Sequence, residues 1–125
     1  MAPADAADDE DRVLTVLTHD SFAVSDDVMA AFDAEHDFDV RFIEGGDTGT
    51  MVNRIVLTSG NPIADVVYGV DNTFLSRLLA EDVLTPYESP VLDAIPDRFE
   101  LDPEHRALPV DYGDVCPNYD KAALD

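Results

Sequence analysis

Val13–Thr18 reads VLTVLT, six residues that are apolar or β-branched on both faces. A strand with no polar face belongs in the middle of a parallel sheet, where both sides are covered. The polar stretch HDSFAVSDD follows at His19–Asp27. Helical character is expected to begin near Ser25, which can cap the free amides, with Asp26 and Asp27 favourably placed against the helix dipole. Val28, Ala31 and Phe32 share one face at helical spacing, and the helix is expected to finish near His36.

The same alternation continues along the chain. Phe38, Val40 and Phe42 interleave with Asp39, Arg41 and Ile43 as a second strand, which feeds the loop EGGDTGT at Glu44–Thr50. A helix over Thr50–Thr58 is expected next, with Met51, Ile55, Val52 and Val56 as its apolar pairs, closed by SGNP at Ser59–Pro62. Ile63–Val70, IADVVYGV, reads as a third buried strand, and Asp71, Asn72 and Thr73 can cap a helix whose Phe74, Leu75, Leu78 and Leu79 face inward. Strands alternating with helices through short loops imply right-handed crossovers and an open, mostly parallel α/β sheet with helices on both faces. Ligands of such sheets gather at the carboxyl ends of the strands, which singles out residues 19–24, 44–50 and 69–73.

Beyond Val83 the pattern loosens around Pro86, Pro90, Pro96 and Pro103. Ala107–Val115, ALPVDYGDV, is expected to regain strand character, and CPNYDKAALD to start a helix. The lone Cys116 has no partner for a disulfide or a thiolate metal site and reads as a small buried hydrophobe.

Length and charge narrow the function. A chain of 125 residues is one ordinary domain, and with 46% apolar residues it can support a core. Its 28 acidic residues stand against 7 Lys plus Arg, for a formal net charge of −21 and a single lysine, Lys121. Such a surface disfavours nucleic acid and anionic membranes. The mutual repulsion fades at molar salt, where the screening length is roughly 3 Å, so the composition suits a halophile. Residues 1–12, MAPADAADDEDR, read as a disordered acidic segment, similar to the spacer that follows a lipoprotein anchor. No signal peptide is visible there, so export would require a leader absent from these residues.

Four stretches resemble the thiamine- and thiamine-phosphate-binding proteins of ABC importers, within the two-lobed periplasmic binding proteins. They are LTVLTHDSF at Leu14–Phe22, NRI at Asn53–Ile55, ADVVYGVDN at Ala64–Asn72 and PVDYGDVCPNYDKAAL at Pro109–Leu124. The resemblance implies that residues 13–125 form the first lobe of a longer protein and stop at its hinge, and that the ligand would be clamped between two lobes. It further implies a solute-binding component outside the cell, partnered by an ABC transporter permease, held to the membrane only by a lipid anchor, and without enzymatic activity or cofactor. Pro117 and Asn118 depart from the apolar crossover usual in the family at this point.

Thiamine carries a thiazolium cation, an aminopyrimidine and an alcohol or phosphate tail, each needing a different partner. Asp20 and Asp71, at the ends of strands one and three, suit the cation; Ser21 and Asn72 suit the pyrimidine or tail; Tyr112 offers an aromatic face. Asp20 with Ser21, and Asp71 with Asn72, equally suit the role of helix caps. The loop holding Gly46 could leave amides free for a phosphate, although Gly45, Gly46 and Gly49 are also ordinary turn residues. His19, His36 and His105 are too scattered for a metal site and read as solvated. A receptor for ferric ion, a polyamine or a small anion is the nearest alternative. A flavodoxin-like receiver domain would need a lysine at the end of a late strand, and no GxGxxG or GxxxxGK[ST] string marks a nucleotide enzyme.

Overall fold

The computed structural model describes residues 12–123, so the acidic segment expected at residues 1–12 lies outside the described residues except for Arg12. The chain divides between Thr85 and Pro86 into two compact units.

The first unit is built in the order β1 (Val13–Thr18), α1 (Asp26–Glu35), β2 (Asp39–Glu44), α2 (Thr48–Leu57), β3 (Val66–Tyr68) and α3 (Asn72–Ala80). Its sheet has the order β2-β1-β3, with both pairings parallel. This is a small open α/β fold, consistent with a lobe of the periplasmic-binding-protein kind. VLTVLT is the central strand, as its two apolar faces require. The register sets Val16 beside Phe42, Leu17 beside Ile43 and Thr18 beside both Glu44 and Tyr68. Because side chains alternate across a strand, Val16, Thr18, Phe42 and Tyr68 share one face and Leu17, Ile43 and Val67 the other.

The core lies on the Leu17 side. Leu17, Met51, Val52 and Leu78 are fully buried, and Leu75 nearly so. A Cβ added at Gly45 would sit 2.9 Å from Met51 Cγ and 3.2 Å from Leu17 Cδ1, so the missing side chain lets the end of β2 close down on both. The helix expected at Thr50–Thr58 starts two residues earlier, because Asp47 caps it: its carboxylate accepts the Thr50 amide at 2.7 Å.

Two local expectations need correction. Ile63–Val70 contributes a ladder of only three residues. At its start the Asp65 carboxylate accepts the Thr15 amide at 2.9 Å, a side chain standing where a backbone carbonyl would continue the strand. At its end Gly69 turns to φ +108°. As an edge strand it also leaves Val66 exposed, so it is not the buried strand its apolar run suggested. In α1, Ser25 makes no side-chain cap; its carbonyl accepts the Val28 and Met29 amides at 3.1 and 3.2 Å. No residue of α1 is buried, and Val28 is 57% exposed, so its apolar stripe is only partly covered.

The second unit has short 3-10 turns at Pro90–Ala94, Asp97–Phe99 and Lys121–Ala123. Its interior holds Leu92 and a buried acid, Asp102. That carboxylate accepts from the Arg106 amide at 2.9 Å and from its guanidinium at 2.9 and 3.0 Å, which together hold its pKa down at about 2. Ala107–Val115 does not form the expected strand. Pro109 has no amide to give, and among the described residues no ladder hydrogen bond reaches the segment, which leaves Val110, Tyr112 and Val115 exposed. The anticipated closing helix is the single turn at Lys121–Ala123, where Asp120 accepts the Ala122 amide at 2.9 Å. Cys116 is exposed rather than buried, because residues 110–123 enclose no apolar interior around it.

Candidate functional site

At the carboxyl ends of the three strands the backbone is laced across the sheet. The Gly45 amide donates to the Thr18 carbonyl at 2.8 Å, the Asp20 amide to the Gly46 carbonyl at 3.0 Å and the His19 amide to the Tyr68 carbonyl at 3.1 Å. The Thr48 hydroxyl reaches the Gly69 carbonyl at 3.4 Å. Three loops distant in sequence are thereby fixed as one surface, which parallel strands bring about by ending side by side.

A pocket of about 390 Å³ opens on this surface, lined by Thr18, His19, Asp20, Phe22, Ala23, Val24, Phe42 and Glu44. The Phe22 ring stands 5.2 Å from Phe42 and 5.1 Å from Tyr68, edge-on to the latter. Phe42 and Tyr68 share the sheet face opposite the core, so the loop after β1 folds Phe22 back over that face. The result is an aromatic wall beside a carboxylate.

Of the residues singled out from sequence, Asp20 lines this pocket and Gly46 is bonded to its backbone. Gly46 takes φ +87°, which suits glycine and aims its carbonyl back at the first loop. Ser21 does not cap α1, which starts at Asp26 behind Ser25; its hydroxyl lies 2.8 Å from Nδ1 of His19. Asp71 is a cap: Oδ1 accepts the Phe74 amide at 3.0 Å, with Asn72 as the first residue of α3. Neither Asp71 nor Asn72 lines the pocket. Tyr112 belongs to the second unit, where it stacks on Phe99 at 4.5 Å. At the start of α2 the amide of Thr50 is already taken by Asp47, and with the Thr50 hydroxyl it holds that carboxyl below the usual range. An acid thus occupies the place where the glycine loop suggested a phosphate.

Sequence reasoning passed over His19 and the aromatic wall. His19 is tucked against Gly69 with only 29% of its side chain exposed, and its Nδ1 meets Ser21 and Asp20. The signal was its position at the end of the central strand, inside the loop already marked for ligand. Phe22, Phe42 and Tyr68 could be placed together only once the register of the sheet was known. Among the described residues no group of three or more His, Cys, Asp or Glu is arranged to hold a metal ion, and no helix is long and apolar enough to cross a membrane.

No family model and no solved structure matches the chain. Several curated proteins do. It is 31% identical, over an alignment of 130 positions, to a thiamine-binding periplasmic protein of Brucella abortus, covering 99% of this chain and 37% of the relative. Proteins of the same name from Salmonella typhimurium and Escherichia coli are 31% and 32% identical over 90% of the chain and 35% of their own length. The likeness therefore runs through nearly all of these 125 residues, while the chain spans only about a third of the length of the curated relatives it matches.

Proposed function

We propose that the chain serves as part of a solute-binding protein of an ABC importer and takes thiamine, without catalysis, outside the cell. The observation that carries this reading is the pocket at the strand ends, where Asp20 and Glu44 stand beside the rings of Phe22 and Phe42. A carboxylate paired with an aromatic face suits a flat organic cation, which is what a thiazolium ring is. The names of the relatives point to the same ligand. Acidic side chains also favour thiamine over its phosphates, because Asp47 places a carboxylate at the start of α2, where it accepts the Thr50 amide.

Ser21, in the loop that lines the pocket, would meet the pyrimidine or the hydroxyethyl tail, and Asp71, which caps α3 outside the pocket, would add only to the negative field. A permease partner and a lipid anchor complete the proposed setting, and the net charge of −21 supports a saline one. The pocket is open on one side, and since enclosure normally covers most of a small ligand, affinity on these 125 residues alone should be weak, on the order of millimolar. Titrating thiamine and an uncharged pyrimidine analogue into the chain in molar KCl tests the reading. Preference for thiamine, weakened by Asp20→Asn, supports it. Equal binding of the two ligands removes the cation argument, and stronger binding of ferric ion, a polyamine or phosphate hands the site to another solute.

A further inference from the structure

Glu44 closes β2, and the sheet fixes its place from both sides. In the register it stands beside Thr18, and the next residue, Gly45, donates its amide to the Thr18 carbonyl at 2.8 Å. Side chains two apart on a strand share a face, so Glu44 lies on the same side of the sheet as Phe42 and Thr18, opposite the Leu17 core. Phe22 folds onto that side with its ring 5.2 Å from Phe42. Glu44 and both rings line the pocket at the strand ends.

The fold makes no use of the Glu44 carboxylate. Among the described residues no hydrogen bond or ion pair reaches it. Its polar neighbours are directed elsewhere: the Thr18 hydroxyl donates to the Ile43 carbonyl at 3.5 Å, and the Arg54 guanidinium to the backbone carbonyl of Glu44 at 3.3 Å. An anion held on a strand beside two aromatic rings, with no partner of its own, offers a flat cation both a counter-charge and a ring face. We infer that Glu44 is the specificity-determining residue of the site, the carboxylate that separates planar organic cations from uncharged rings of similar shape.

Contact has to be told apart from the general field of the protein. With 28 acidic residues, the whole chain attracts cations in dilute buffer. In molar KCl the screening length is roughly 3 Å, so only a carboxylate touching the ligand still distinguishes charge from its absence. A polyamine would meet the charge of Glu44 without using the rings, which is why the site favours a planar cation over a flexible one.

The natural ligand of Glu44 rests on the thiamine reading, and N-methylpyridinium, a flat cation unrelated to thiamine, keeps the two claims apart. Amide NMR titrations of the 125-residue chain in molar KCl, with thiamine, N-methylpyridinium and an uncharged pyrimidine analogue, make the test. Glu44→Gln should weaken both cations about fivefold and leave the uncharged analogue unchanged. Glu44→Asp keeps the charge but withdraws it by one carbon, and should show an intermediate loss. Asp33→Asn, exposed on α1 and outside the pocket lining, should change nothing. Circular dichroism confirms that each variant folds.

Cation affinities in Glu44→Gln equal to those of the wild type overturn the inference, as do equal losses in Asp33→Asn or a wild type that binds neither cation. Preference for thiamine over the uncharged analogue that survives Glu44→Gln upholds the thiamine reading and removes the role of Glu44. Binding of N-methylpyridinium that depends on Glu44, without binding of thiamine, removes the thiamine reading and supports the role of Glu44.

Discussion

A Cβ placed on Gly69 would lie 2.7 Å from the Cβ of His19 and 3.3 Å from its amide nitrogen. Gly69 also holds φ +108°, a region that side chains rarely enter. The last turn of β3 thus fits beneath the first loop only because residue 69 has no side chain. Gly69→Ala should cost about 2 kcal/mol or more, the sum of backbone strain and displaced packing. Chemical denaturation in molar KCl measures it, and a loss below about 0.5 kcal/mol means that the two loops are not in close contact.

Asp71 tests cap against charge. Its carboxylate accepts the Phe74 amide, and asparagine can keep that acceptor while dropping the charge. Asp71→Asn should therefore leave stability within a few tenths of a kcal/mol, whereas Asp71→Ala should lose about 1 kcal/mol. If Asp71 also contributes to a cation site, Asp71→Asn weakens thiamine more than an uncharged pyrimidine analogue. Equal effects on the two ligands leave Asp71 as a helix cap alone.

The order of elements in the first unit was legible because each depends on local pattern: the two-faced run at Val13–Thr18, the Asp71 cap, the apolar spacing of Leu75 and Leu78. The limits of β3 were not, because a side-chain acceptor at Asp65 and a backbone turn at Gly69 replace the ladder there, and neither disturbs the apolar run of IADVVYGV. Ala107–Val115 failed as a strand for want of a partner, which local sequence does not encode. Of the candidate pocket, the loop after β1 with Asp20 was legible, together with Glu44 at the start of the second loop, while residues 69–73 contribute nothing to its lining. His19 was marked by its place at the end of β1, whereas the wall of Phe22, Phe42 and Tyr68 depends on cross-strand register.

Acid should reveal the second unit. The ordinary carboxylate value of 3.8 falls to about 2 at Asp102 because Arg106 donates to it from side chain and backbone. A group with its folded pKa depressed stabilises above the unfolded value, and that contribution disappears as the pH falls from about 4 through about 2. Asp102→Asn should lose this component of the acid transition, so its stability should fall less than the wild type's between pH 4 and pH 2. Parallel acid limbs for the two proteins contradict the Asp102–Arg106 link.

Salt should act in the opposite sense to its effect on an ordinary ion-paired surface. With a net charge of −21, repulsion among carboxylates opposes the compact state, and screening relieves it. The melting temperature should rise steadily from dilute buffer to molar KCl. No change across that range contradicts the halophile reading.

The central claim is that the carboxyl ends of the three strands bind thiamine through its cation, and mapping by amide NMR tests it directly even at millimolar affinity. Thiamine added to the chain in molar KCl at pH 8 should shift amides of residues 19–22, 44–47 and 69–72, and an uncharged pyrimidine analogue should shift them less. Shifts confined to other residues, or the same shifts from both compounds, would contradict it.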